Sequence, residues 1–306
     1  MARNKNMHKA RKNKNNEFYT LLSTVEAELY HYDFKDKIVY CNCDDPTESN
    51  FTLYFILHFK RLGIKKLICT CYKNQIIDVF SSNNNDKAVC LEYNGTVNND
   101  GYGDPDGNEI KVISLNDDGD FRNPESIKIL KTVDIVATNP PFSLFRPFVD
   151  QLMKYKKEFI IIGNKNAITY KEIFKYIKEG KMWLGYNSPK EFLTPEGKIT
   201  KKLNGLTRWF TNMPVKKRNE ELLLFRIYHG NEENYPKYDK HDIIEVGHIV
   251  DIPIDYKGVM AVPITFLDKH NPDQFEIIGY HNGGWKDYTL KNKHKYGRIH
   301  IKNKNL

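Results

Sequence analysis

A chain of 306 residues is long enough for one large α/β domain, or for a domain with a smaller module. Its 40% hydrophobic and 13% aromatic content excludes a disordered polymer, and no run reaches the ~20 apolar residues of a membrane-spanning helix. Forty-seven Lys and Arg against 39 Asp and Glu leave a net charge of +8, which favours a polyanionic partner such as nucleic acid. The N-terminus has no apolar signal core, and an odd count of five cysteines fits a reducing compartment better than a disulfide framework. A cytoplasmic location is expected.

Residues 1–16 carry Arg3, Lys5, Lys9, Arg11, Lys12 and Lys14 with no acidic residue. They read either as a solvated tail or as a basic arm along a phosphate backbone. A helix is expected from Leu21 to Tyr32, then a buried strand from Lys37 to Cys43 that runs into the polar turn Asp44–Phe51. Apolar residues at helical spacing follow from Leu53 to Leu62, with Gly63 as terminator and a second strand from Lys65 to Cys71. Strand, polar loop, helix and strand make a βαβ unit, which places the two strands parallel in one sheet. The pairs Cys41/Cys43 and Cys69/Cys71 could suggest zinc. Each closes an apolar run, however, and zinc sites use wider gaps on a turn, so buried strand cysteines are the expectation and no metal is assigned.

Residues 81–109, rich in Asn, Asp and Gly, read as a variable hairpin or loop region. Val112–Leu115 is a short strand ending in Asn116–Phe121, and Glu125–Lys131 a short helix. The apolar run Ile135–Ala137 then stops at Asn139-Pro140-Pro141-Phe142, where two residues without N–H groups forbid further ladder or helix. Phe145, Phe148, Val149 and Leu152 recur at helical spacing, Glu158–Gly163 is another buried strand, and Tyr170–Lys178 another helix. The alternation predicts an α/β fold with a doubly wound, mostly parallel sheet. Beyond Gly185 glycine, proline and isolated aromatics rise. The expected division is a basic arm at 1–16, a catalytic and ligand-binding domain at 17–186, and residues 187–306 as the remaining strands with a β-rich module. Lys291, Lys293, Lys295, Arg298, Lys302 and Lys304 form a second basic cluster.

In parallel sheets, ligands bind beyond the carboxyl ends of the strands. The loops expected there carry Asp44 and Asp45, Asp117–Asp120, Asn139–Phe142 and Asn164. Neither a P-loop nor a Gly-x-Gly-x-x-Gly match is present. The acidic rim suits a ligand bearing amine and hydroxyl donors, such as S-adenosyl-L-methionine. Asn-Pro-Pro-aromatic is the catalytic tetrapeptide of amino-group methyltransferases. Two acceptors, the Asn139 side-chain oxygen and the Pro140 carbonyl, can hold both hydrogens of an aromatic amine, and Phe142 can stack on its ring.

Longer stretches carry a resemblance: Glu17–Thr20, Val39–Pro46, Gly119–Arg122, Asp134–Arg146, Ile168–Glu172, Trp183–Gly185, Tyr235–Asp239, Gly258–Met260 and Val262–Leu267. Across nearly its whole length the chain resembles the EcoRI-type adenine-specific DNA methyltransferases. The resemblance implies S-adenosyl-L-methionine-dependent methylation of the exocyclic N6 amine of a flipped adenine in double-stranded DNA. A restriction-modification system, with a cognate restriction endonuclease acting separately, or a solitary methylase would both fit. By the same resemblance Phe18, Tyr19 and Thr20 border the methionine part of the cofactor. Asp44, Asp45 and Pro46 form the first cofactor loop, Asp120 and Phe121 flank the cofactor's adenine, and Asn139, Pro140, Pro141 and Phe142 form the catalytic element. The first loop lacks the glycines usual in methyltransferases, and the loop after the second strand, Cys71-Tyr72-Lys73-Asn74, offers no carboxylate for the ribose. Lys9, Arg11, Lys12 and Lys14, with Arg208, Lys216, Lys217 and Arg218 in the expected recognition region, are the candidate DNA contacts. A solvated face is the alternative for the last four. A protein glutamine N5-methyltransferase and a catalytically inactive DNA-binding relative remain as alternative functions.

Overall fold

The computed structural model describes residues 19–43, 46, 49–70, 72, 88–95, 110–194, 198–282, 285–294 and 296–306. They fall into two compact units, the first drawn from 1–165 and 187–213, the second from 166–186 and 214–306.

The chain enters through β1 (Tyr19–Thr20) and α1 (Leu22–Leu29), which buries Val25, Glu28 and Leu29. The Glu28 carboxylate tolerates burial because Tyr32 Oη and the Asn187 N–H both donate to it, at 2.7 Å each. β2 (Ile38–Cys41) follows, then α2 (Asn50–Leu57) and α3 (Phe59–Leu62). The helix starts three residues earlier than apolar spacing alone predicts. Ser49 supplies the reason: its Oγ accepts the N–H groups of Phe51 and Thr52 at 3.2 and 3.4 Å, capping the first turn. Gly63, at φ +63°, ends α3 as expected.

β3 (Lys66–Thr70), β4 (Val89–Tyr93) and β5 (Ile110–Ser114) come next, followed by α4 (Pro124–Thr132), β6 (Ile135–Thr138), α5 (Phe145–Lys154) and β7 (Glu158–Asn164). α6 (Lys171–Lys178) and β8 (Trp183–Leu184) belong to the second unit. β9 (Phe192–Leu193), β10 (Ile199–Thr200) and β11 (Thr207–Thr211) return to the first. β9 pairs with both β1 and β10 in a small antiparallel sheet.

The main sheet of the first unit runs in the order β5-β4-β3-β2-β6-β7-β11. Its centre is parallel: Tyr40 registers with Ile68 and Val136, and Ala137 with Ile160. Its flanks are antiparallel, with Cys69 opposite Leu91, Leu91 opposite Val112, and Trp209 opposite Ile162. The sheet is therefore mixed, and the expectation of a mostly parallel one describes only β3, β2, β6 and β7. Part of the antiparallel edge, β4, lies in the stretch expected to be a loop or hairpin. Two successive reversals return β5 to the direction of the central strands, so the loop after it opens on the same rim as those after β2 and β6.

Ile135–Ala137 and Phe159–Ile162 are completely buried, as parallel strands covered on both faces require. Phe145, Phe148, Val149 and Leu152 of α5 are also buried, as their spacing predicts. Phe145 and Phe210 have ring centroids 5.0 Å apart, over Gly163 of β7. A Cβ there would stand 2.4 Å from Phe145 and 2.9 Å from Phe210, so only glycine fits. Cys41, Cys69 and Cys90 are buried and Cys43 is half-buried; Cys71 lies outside the described residues.

The second unit centres on a four-stranded sheet of β12 (Ile243–Glu245), β13 (Val259–Pro263), β14 (Phe275–His281) and, after the hairpin β15 (Thr289–Leu290) and β16 (Lys293–His294), β17 (Arg298–Asn303). The order is β12-β13-β17-β14, with β12 and β13 parallel and the other pairs antiparallel. Ile244, Met260, Ala261, Phe266, Phe275, Ile299 and Ile301 fill its core. Among the described residues no helix is long and apolar enough to cross a membrane.

Candidate active site

Every residue of β6 is buried up to Thr138. Asn139 emerges half-buried, Pro140 is buried, Pro141 is exposed and Phe142 half-buried. The Pro141 carbonyl accepts the Leu144 N–H at 2.8 Å, closing a 3-10 turn over Phe142–Leu144 that leads directly into α5. The tetrapeptide is thus clamped between a buried strand and a helix anchored by Phe145 and Phe148. It stands at the carboxyl end of a central strand, where both neighbours of β6 are parallel. Asn164, at the end of β7, lies on the same rim.

The loop after β5 is a chain of carboxylate-stabilised turns. Asp117 accepts the N–H of Gly119 at 2.9 Å, and Asp118 accepts the N–H of Asp120 at 3.1 Å and Asn123 Nδ2 at 2.6 Å. Asp120 accepts the Arg122 N–H at 2.9 Å and Nε at 2.8 Å, and pairs with Nη2 at 2.5 Å. That hydrogen-bonded carboxylate holds the Arg122 guanidinium above its usual pKa. Phe121 turns inward: its ring meets Phe148 edge-on at 5.0 Å, its carbonyl accepts Gln151 Nε2 at 2.8 Å, and it is 6% exposed. Asp120 and Phe121, both expected beside the cofactor's adenine, are thus held by Arg122 on one side and by α5 on the other. The Arg122 clamp is absent from the sequence-based expectation, although the i, i+2 spacing of Asp120 and Arg122 is a signal for it.

Around β2, Asn42 and Pro46 are buried, while Asp44 and Asp45 lie outside the described residues. Phe18 is also outside them, and Tyr19 contributes its backbone to β1. Thr20 is tied to the start of α2, since its carbonyl accepts Asn50 Nδ2 at 2.7 Å. Among the described residues its buried hydroxyl has no hydrogen-bond partner. A buried hydroxyl left alone costs roughly 1–3 kcal/mol, which a ligand's polar group would relieve. Among the described residues no group of three or more His, Cys, Asp or Glu is placed to hold a metal.

Of the expected DNA contacts, Lys9, Arg11, Lys12 and Lys14 lie outside the described residues. Arg208 is half-buried on β11, donating Nη1 to the Thr207 carbonyl at 2.8 Å. Lys216, Lys217 and Arg218 share a 3-10 turn in the second unit. Lys216 is exposed, Lys217 Nζ donates to the Tyr186 carbonyl at 3.1 Å, and the Arg218 guanidinium lies 4.1 Å over the Trp183 ring. Burial lowers the Arg218 pKa. The last two therefore have structural work inside their unit, which charge counting did not reveal.

An Asn-Pro-Pro-Phe tetrapeptide at the carboxyl tip of a central strand in an α/β sheet defines a class, the amino-group methyltransferases. A family model described as "Adenine-specific methyltransferase EcoRI" matches residues 6–305. The chain is 47% identical over 324 residues to "Type II methyltransferase M.EcoRI" of Escherichia coli, covering 100% of this chain and 98% of that protein. It is 38% identical over 291 residues to M.MgeORF184P of Mycoplasma genitalium and to M.MpnI of Mycoplasma pneumoniae, both also Type II methyltransferases, covering 89% of this chain and 84% of each. No solved structure matches significantly. The chain belongs to the EcoRI adenine-specific methyltransferase family and is a DNA methyltransferase.

Proposed function

We propose that this protein transfers a methyl group from S-adenosyl-L-methionine to the exocyclic N6 amine of a specific adenine in double-stranded DNA. The observation that carries the reading is the placement of Asn139–Phe142, clamped at the tip of β6 between buried elements. The first unit is read as the doubly wound methyltransferase sheet, residues 187–306 as its last strands with the target-recognition region, and residues 1–16 as a basic arm on the DNA backbone. The enzyme works in the cytoplasm, with a separate cognate endonuclease or alone.

The chemistry of the rim supports the cofactor. Acidic residues, the orphaned Thr20 hydroxyl and the absence of a phosphate-binding glycine loop suit a ligand with amine and hydroxyl groups and no phosphate. Thr20, with Phe18 and Tyr19, would hold its methionine part, Asp44, Asp45 and Pro46 its first loop contacts, and Asp120 and Phe121 its adenine. When bound, the cofactor supplies an electrophilic methyl group on a sulfonium. Asn139 Oδ1 and the Pro140 carbonyl accept the two amine hydrogens of the target and draw its nitrogen toward tetrahedral geometry. Phe142 stacks on the flipped base, a contact worth about 1–3 kcal/mol in single-stranded recognition. A strong general base is not required, because the proton becomes far more acidic once the nitrogen is methylated. Positioning and electrostatics lower the barrier.

The test is tritium transfer from labelled S-adenosyl-L-methionine to duplex DNA by wild type and Asn139→Ala. Wild type labels N6 of adenine, and Asn139→Ala loses transfer while retaining cofactor binding. Near-normal turnover by the variant would overturn the amine-holding role, and a wild type that labels protein glutamine or nothing would overturn the reading.

A further inference from the structure

The hairpin of β15 and β16 has an unusual tip. Its two-residue loop, Lys291-Asn292, holds both residues at positive φ, +49° and +61°. Tight hairpin turns demand this geometry and normally fill it with Asn-Gly or Asp-Gly; a lysine there is strained. One side chain holds the turn in place. Asp239 accepts Thr289 Oγ1 at 2.6 Å and the N–H groups of Lys291 and Asn292 at 3.0 Å each, and its own N–H donates to the Thr289 carbonyl at 2.9 Å. Below the tip, Leu290 is buried against Tyr238 and Ala261, and Tyr288 is stacked between His241 and His281 at 4.2 Å from each. The base of the hairpin is therefore rooted in the core of the second unit.

The tip and the turn that precedes the hairpin carry lysines with no acidic partner among the described residues. Lys286, Lys291 and Lys293 are exposed, and among the described residues none has a carboxylate within ion-pair distance. The nearby acids are engaged: Asp239 braces the turn, and Asp287 pairs with Lys240 at 2.9 Å. The braced turn presents the tip lysines from a backbone that is already ordered, so association costs no further ordering of the main chain. A two-stranded ribbon is also narrow enough to enter the DNA major groove.

We propose that this hairpin, with the turn that precedes it, is a DNA-contacting element, in which Lys286 of the turn and Lys291 and Lys293 at the tip neutralise backbone phosphates of the duplex and Asp239 is the positioning residue that holds the tip. The inference rests on the duplex-DNA reading of the function. The experiment measures binding of full-length protein to a fluorescent duplex by anisotropy across a salt series. It compares wild type, the triple variant Lys286→Gln, Lys291→Asn, Lys293→Gln, and Asp239→Ala. Asparagine at position 291 tolerates the left-handed backbone, and thermal melting checks that each variant is folded. The slope of log K against log salt should fall by about 2.7 in the triple variant, close to 0.9 for each phosphate that is no longer neutralised. Asp239→Ala, which keeps the lysines but frees the turn, should weaken binding with little change of slope. The single variants Lys286→Gln and Lys293→Gln should each lower the slope by about 0.9. An unchanged slope in a folded triple variant overturns the proposal. Methyl transfer is assayed separately on wild type, so a failure there strikes the function reading while the slopes still decide the hairpin.

Discussion

Asn139 owes its position to its neighbours. Behind it, Ile135–Thr138 are locked into a sheet by parallel partners on both sides; ahead of it, two prolines and the Pro141–Leu144 hydrogen bond dictate the turn. Ser49 does a similar service for the first loop. It caps α2, and the next residue, Asn50, fastens Thr20. Ser49→Ala should cost about 1 kcal/mol of stability, within the ~0.5–2 kcal/mol range of lost N-caps, and Ser49→Asp should recover most of it. Urea titration reads this directly, and an Ala variant as stable as wild type would show that the cap is redundant.

At the scale of elements, the contact between β7 and α5 constrains the turn proposed to be catalytic. Phe145 is the first residue of α5, and its ring sits where any side chain at position 163 would point. Gly163→Ala must push Phe145 or Phe210 aside, and overpacking of this kind costs about 1–3 kcal/mol. Because Phe145 follows the turn by only one residue, the same variant should lose methyl transfer beyond what its stability predicts. Activity measured well below its melting temperature separates the two effects, and full activity there would show that the turn is insulated from the helix.

These elements also show what the sequence made legible. β2, β3, β6, β7 and α5 were readable because each is a compact apolar run or stripe bounded by turn residues. The tetrapeptide was readable because two prolines cannot be mistaken for anything else. β4 is legible only as one of two readings, a hairpin or a loop: Val89–Tyr93 is short and lies in a polar, glycine-rich stretch, and its pairing with β3 is a long-range property. The start of α2 was misplaced because a cap acts through a side chain, not through periodicity. Phe121 is expected at the ligand by resemblance, and its edge-on contact with Phe148 is a packing property that no local spacing shows.

For the whole molecule, acid stability should be set by histidines of the second unit. His281 Nδ1 lies 2.7 Å from His300 Nε2 in a buried pair, so one ring must accept what the other donates. Tyr288 stacks on His281, Tyr238 meets it edge-on, and His300 and then Arg298 oppose a charge on its ring. Burial, chiefly, pushes His281 down to about 3 and His300 to about 4, from an ordinary 6.5. His270, whose ring nitrogen lies 3.0 Å from the Phe275 carbonyl, is lowered by burial to about 4. The native state therefore binds fewer protons than the unfolded chain between the two sets of values. The stability that these neutral rings contribute is present above about pH 6.5 and is lost as pH falls from there toward the folded-state values. Urea midpoints should drop between pH 7 and pH 5, and His300→Gln should flatten that dependence; a midpoint independent of pH would refute it.

The double reversal through β4 and β5 bears on how this fold can vary. Strand direction in a sheet is a matter of parity: an even number of antiparallel steps leaves the next loop on the rim where it would have been anyway. The chain between β3 and β5 can thus gain or lose length as a whole hairpin, and the Asp117–Phe121 loop still faces the strand tip that carries Asn139. Variation there is topologically silent, whereas adding or removing one strand would carry that loop to the opposite side of the molecule.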